Sequence, residues 1–88
     1  MTEQILNRAA AAGQIHEKVA DLARARGIRN PSFSDDEVIP ERNLLDSAAI
    51  MELIVWYEEH FQVPIDQADV TIEHFGTVNA MVDYLTRR

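Results

Sequence analysis

The segment from Ser47 to about His60 most constrains what this chain can fold into. Ile50, Leu53, Ile54, Tyr57 and Phe61 recur at positions i, i+3, i+4, i+7 and i+11, which lines them up on one side of an α-helix. A helix with a single apolar face needs other apolar faces to pack against. Two further segments supply them. Ile15, Val19, Leu22 and Ala23 repeat the pattern near the N-terminus, and Val78, Met81, Val82 and Leu85 repeat it near the C-terminus. No alternating strand pattern competes. Eighty-eight residues provide for one domain. The spacing therefore predicts an all-α fold, a small bundle of three main helices plus one short helix.

The boundaries follow from local chemistry. Arg24 and Arg26 suit a helix C-terminus, and Gly27 is a stop signal just beyond them. Gly13 weakens helix, so residues 1–12 read as an N-terminal extension, either helical, with Ile5, Leu6 and Ala9 on one face, or frayed, and residues 13–88 as the folded domain. Residues 28–46 form a long connection between the first and second main helices, since Asn30-Pro31 and Ile39-Pro40 both disfavour helix. Ser34 and Glu37 have capping-box spacing there, which predicts a short helical turn. Phe33, Val38, Ile39, Leu44 and Leu45 make this connection too apolar to hang free, so it must lie on the bundle. A connection of this length in so small a domain usually has a task. Val63-Pro64 ends the second helix, a short helix is expected near Thr71 to Phe75, and Thr77 is the expected cap of the last one.

Charge narrows the possible partners. Residues 1–29 carry five basic and three acidic side chains, while residues 30–88 carry three basic and twelve acidic. The acidic part would be repelled by nucleic acid and by anionic membranes, and would favour partners with basic patches. The chain has no cysteine, so thiolate metal sites and disulfides are excluded, and the composition fits a cytoplasmic protein. The longest apolar run near the N-terminus is Ala9 to Ala12, too short and too weakly apolar for a signal peptide or a membrane span.

With the core face assigned, Ser47, Met51 and Val55 form a line down the flank of the second helix, four residues apart. Glu52, Glu58 and Glu59 edge that line, and Glu73 is a further candidate for the rim. An apolar stripe edged by carboxylates has the makings of a transient docking surface. Alternatively, Met51 and Val55 pack under the long connection. Trp56 could be covered by that connection or could extend the surface. Ser47 also has two readings: it caps the helix, or it is an attachment point for a group the chain cannot make from its own side chains.

The residues then resemble a family. Asp46-Ser47 at the head of an acidic helix is followed by Met51-Glu52-Leu53-Ile54, Glu58-Glu59 and Phe61, then by Phe75-Gly76-Thr77-Val78 and Tyr84-Leu85. This order and spacing, across residues 14–86, resembles the acyl carrier and peptidyl carrier proteins. The resemblance implies that Ser47 is esterified to 4'-phosphopantetheine, whose thiol carries acyl or aminoacyl groups as thioesters. It implies a carrier rather than an enzyme. The implied partners are a phosphopantetheinyl transferase, a loading ligase or acyltransferase, and a downstream acyltransferase or condensing enzyme, all served by a monomer. Asp46 would serve transferase recognition or orient the helix start. The segment Ile54 to Glu59 and the Leu44-Leu45-Asp46-Ser47 approach look more like free-standing carriers of polyketide or nonribosomal peptide metabolism than like fatty-acid carriers.

Two positions depart from the family pattern. Asn43 stands where glycine is common, a mild change because asparagine tolerates a left-handed turn. Ala48 follows the serine where a bulky residue is usual, and such a residue is expected to seat the helix, so Leu44 or Leu45 would have to compensate.

Other chemistries are poorly supported. A serine hydrolase lacks the Gly-x-Ser-x-Gly elbow. A zinc motif beginning at His16-Glu17 fails because Ala20 stands where the second histidine would be. Asp35, Asp36 and Glu37 lack the spacing of a calcium loop and read as a solvated acidic stretch. The competing reading is a non-catalytic acidic helical adaptor that binds a basic partner without a prosthetic group.

Overall fold

The computed structural model describes residues 8–86, and the described residues are helical with no strand. Helix α1 spans Arg8–Ala25, α2 Ser47–Phe61, α3 Ile72–Phe75 and α4 Val78–Thr86, with single 3-10 turns at Pro40–Arg42 and Gln67–Asp69. α1 packs on α2 and on α4, and α3 packs on α4. The bundle of three main helices and one short one is therefore present, with the long connection between α1 and α2.

α1 runs without a break through Gly13, and a methyl group placed on that glycine would meet nothing within 4 Å. Residues 8–12 thus belong to the same helix, with Ala11 buried and Ala9 exposed. Ile5 and Leu6 lie outside the described residues. At the other end Gly27 takes φ +101, and the Ile28 N–H bonds the Ala23 carbonyl at 3.1 Å, closing the helix with a left-handed residue that favours glycine.

The core is drawn from the expected faces: Ile15, Val19, Leu22 and Ala23 of α1; Leu53, Ile54 and Tyr57 of α2; Val78, Met81, Val82 and Leu85 of α4. Two details differ on α2. Ile50 and Phe61 are only half-buried, and Ala49 is buried in addition. They stand at the two ends of the helix, where the neighbouring elements are short. Burying each large apolar side chain contributes about 1.5–3 kcal/mol.

Tyr57 is fully buried at the centre. Its hydroxyl donates to the Met81 carbonyl of α4 at 2.7 Å, and its ring makes edge contacts with Phe61 and with Phe75 of α3. Gly76, between α3 and α4, is buried, and a Cβ there would lie 2.4 Å from the Ile72 carbonyl oxygen. Only glycine fits that close approach.

The connection between α1 and α2 is tied down more than expected. The three consecutive acids Asp35, Asp36 and Glu37 do not form a freely solvated stretch. Asp35 lies 3.1 Å from Nδ1 of His16, whose ring stacks on Phe33; Asp36 accepts from the Asn79 side chain; Glu37 pairs with Arg42. The Asp35 carbonyl also accepts the Asn79 N–H at the start of α4, and the Ile39 N–H donates to the Gly76 carbonyl at 2.7 Å. Ser34 and Glu37 form half of a capping box, the Ser34 N–H donating to Glu37 at 2.7 Å, but around a turn. The helical turn instead forms at Pro40–Arg42, where proline presets the backbone.

Replacing Tyr57 by Phe removes the bond to α4 while keeping the ring, and is expected to cost about 1–2 kcal/mol. Tyr57→Ala, which opens a cavity, is expected to cost about 3–5 kcal/mol. Urea denaturation of both variants measures the two effects.

Candidate functional site

Ser47 is held by the chain segment that leads to it. Asn43 adopts the left-handed conformation, φ 56 and ψ 30, the geometry expected of an asparagine replacing glycine. The turn sends Leu44 and Leu45 into the core, where both are buried, and brings the backbone out again at Asp46. The two leucines therefore anchor the approach.

Asp46 is the cap of α2. Its backbone is extended, its carbonyl accepts the Ile50 N–H at 2.9 Å, and its Oδ1 accepts the Ala49 N–H at 2.8 Å. Such a cap contributes about 1 kcal/mol. Its second oxygen lies 3.7 Å from Nε of Arg26. Ser47 is the first helical residue, and because Asp46 does the capping, the serine hydroxyl is not used for it. Ser47 is exposed and its side chain has no protein hydrogen bond among the described residues. The N–H groups of Ser47 and Ala48 likewise have no protein acceptor there. Those unpaired donors, at the positive end of the α2 dipole, favour an anionic group.

Ala48 is exposed, so it has no part in seating the helix; Leu44 and Leu45 do that from the preceding turn. A small residue at this position changes the surface beside Ser47 and leaves the packing beneath it untouched.

Most of the residues expected on the flank of α2 are where the spacing put them. Met51 is 54% exposed and Val55 48%, with Glu52 and Glu59 exposed beside them, so the stripe is not packed under the connection. Glu58 differs from the expectation of a free rim charge. It is half-buried, and its carboxylate accepts the Ile65 N–H at 3.0 Å, anchoring the turn after α2. Glu73 is exposed on α3 beside Ile72, which is 60% exposed. Ile72 adds an apolar group that the sequence did not flag, because a four-residue helix is too short to show a period. Trp56 lies on the far side of α2, half-buried against α1, with His60 stacked on it and Lys18 Nζ 5.9 Å from its ring centre. It belongs neither to the stripe nor to the connection.

Between α2 and α3 lies an apolar cavity of about 150 Å³. Ile50 and Ile54 line one wall, Val70, Ile72 and Phe75 another, and Ile39 and Pro40 close it. Ile50 is one helical turn from Ser47. Among the described residues no helix is long and apolar enough to cross a membrane.

Residues 14–85 match the family described as a phosphopantetheine attachment site. An acyl carrier protein of Desulforapulum autotrophicum is 38% identical over 58 residues, covering 60% of this chain and 73% of that protein. The chain belongs to the phosphopantetheine attachment-site family of carrier proteins. It is therefore a carrier and not a catalyst, its prosthetic group is covalently bound 4'-phosphopantetheine, and it works with a phosphopantetheinyl transferase and with acyl-handling enzymes. The group's thiol holds cargo as a thioester when attached.

Within the connection that leads to Asp46 and Ser47, the Glu37 pairing is the one expected to weaken in acid. The Ser34 N–H, and then the charge and hydrogen bond of Arg42, hold the Glu37 carboxyl below the usual range. A lowered carboxyl pKa means that this contribution is complete above the unfolded value, about 4.3, and is lost as pH falls through the lower folded value. Glu37→Gln should therefore melt below wild type at pH 7, with the gap closing below about pH 4. Thermal melts of both proteins from pH 7 to pH 3 measure it.

Proposed function

We propose that Ser47 is the residue that carries 4'-phosphopantetheine, making the chain a free-standing acyl or aminoacyl carrier. The observation that carries this reading is the division of labour at the start of α2. Asp46 caps the helix, so the neighbouring hydroxyl is exposed, unbonded and beside unpaired backbone donors. A serine hydroxyl is a poor nucleophile without a base. None is needed in the carrier if the transferase supplies it. In this reading the chain acts as a cytoplasmic monomer that passes from a loading ligase or acyltransferase to a downstream acyltransferase or condensing enzyme, in polyketide or nonribosomal peptide type metabolism. The cavity beside Ile50 is apolar, which suits a short apolar cargo better than a charged one.

The acidic adaptor is the competing function, and Ser47 separates the two. Wild-type protein incubated with coenzyme A and a broad-specificity phosphopantetheinyl transferase should gain the mass of one phosphopantetheine, and Ser47→Ala should fold and gain none. Intact mass spectrometry decides between them: modification of the Ala variant, or none of the wild type with any transferase, defeats the assignment.

Partners in this reading dock along Ser47, Met51 and Val55, with Asp46 at the head and Glu52, Glu59 and Glu73 as the charged rim. Ile72 extends the apolar part, while Glu58 contributes from a fixed position. Reversing the charges of Glu52 and Glu59 together should slow loading about three- to tenfold at low salt and little at high salt, because exposed charges are screened. Met51→Ala should weaken binding at both salt concentrations, since apolar contact is not screened. Loading kinetics with a cognate enzyme across a salt series separate the two effects.

A further inference from the structure

Arg26, just past the end of α1, reaches across to the attachment loop. Its Nη1 donates to the Asn43 carbonyl at 2.8 Å, and its Nε lies 3.7 Å from Asp46 Oδ2. The guanidinium thus reaches both ends of the Asn43–Asp46 segment from the turn that follows α1. The motif lies in the acidic part of the chain, and among the described residues Arg26 is the cation ion-paired to it.

Asp46 poses an electrostatic problem. Its Oδ1 is committed to the Ala49 N–H, so the carboxylate is fixed beside Ser47 and cannot swing away from an incoming phosphate. Attachment requires a phosphate at that place. The Ser47 Oγ–P bond forms as the P–O bond within the pyrophosphate of coenzyme A breaks, adenosine bisphosphate leaves, and the hydroxyl proton passes to a base of the transferase. A negatively charged phosphodiester then stays next to Asp46.

We propose that Arg26 is a positioning residue for this reaction: placed by its bond to the Asn43 carbonyl, its charge offsets the Asp46 carboxylate, so that the start of α2 accepts an anion. The inference rests on the assignment of Ser47. Arg26 acts through Asp46 and Asn43, and it reaches the motif from outside it, so motif spacing alone does not reveal it.

The test uses the full apo chain, coenzyme A and a broad-specificity transferase, with intact mass as the readout of attachment. Arg26→Gln should raise the KM for the carrier about three- to tenfold with kcat little changed, the scale of one exposed charge interaction. Arg26→Lys, which keeps the charge, should restore KM to within about twofold, and the Gln defect should shrink at 1 M salt, where the screening length is about 3 Å. In an Asp46→Asn background, which keeps a competent cap, Arg26→Gln should cost less than twofold. A general loss of stability would act in both backgrounds alike, so this comparison isolates the pairing. A second readout needs no enzyme. At low salt the holo form of Arg26→Gln should melt about 2–4 °C below its own apo form, while wild-type holo melts no lower than wild-type apo.

An unchanged KM and an unchanged holo–apo gap in Arg26→Gln would overturn the role of Arg26 while leaving Ser47 as the attachment site. A defect that neither Lys nor salt relieves would overturn it equally, by showing that only the shape of the turn matters. Wild-type protein that gains no mass would remove the Ser47 assignment and this inference together.

Discussion

Tyr57 carries a hydroxyl into the centre of the core, where it is fully buried, and a buried hydroxyl must be paired or it destabilises the fold. Its partner is the Met81 carbonyl on α4, and its ring meets Phe61 and Phe75. One side chain of α2 thereby sets the position of α4 and, through Phe75, of α3. Gly76 is the complementary constraint. It lets the chain turn from α3 into α4 at a distance that no Cβ would permit, and its carbonyl receives the Ile39 N–H from the long connection. Shifting Tyr57 or enlarging Gly76 would disturb both the core and the path of the loop.

That path determines the site. The connection from α1 to α2 is stapled at His16, Arg42, Gly76 and Asn79, then anchored by Leu44 and Leu45 just before Asp46. A short exposed stretch is left between buried leucines and a helix that begins at once. Its backbone is hydrogen-bonded into the start of α2 although its surface is open. In the proposed function, this combination suits Ser47 as a residue presented to several enzymes in turn. On that reading the chemistry resides in the attached group and in the partners, and the protein supplies its presentation.

The charge arrangement at α2 is divided in the same way. Asp46 is bound into the helix start and Glu58 into the following turn, so neither is a free surface charge. Glu52 and Glu59 are exposed beside Met51 and Val55. Carboxylates of similar appearance in the sequence therefore do different work: Asp46 and Glu58 accept backbone N–H groups, while Glu52 and Glu59 stand exposed beside the stripe.

Periodicity and capping chemistry by themselves determined the main helices, their apolar faces and the line of Ser47, Met51 and Val55 on the flank of α2, because these depend on neighbours within a few residues; that Met51 and Val55 are exposed was decided by the tertiary structure. The motif order also determined the family resemblance. Tertiary structure alone decided which of Asp46 and Ser47 caps the helix, since both residue types cap well and only the backbone geometry distinguishes them. It decided that Ala48 faces solvent, that Trp56 lies against α1, and that Asp35, Asp36 and Glu37 each have a partner. It also brought Arg26 to Asn43 and Asp46. Contacts of this kind join residues far apart in the chain, and a pairing across 17 residues leaves no local pattern to read.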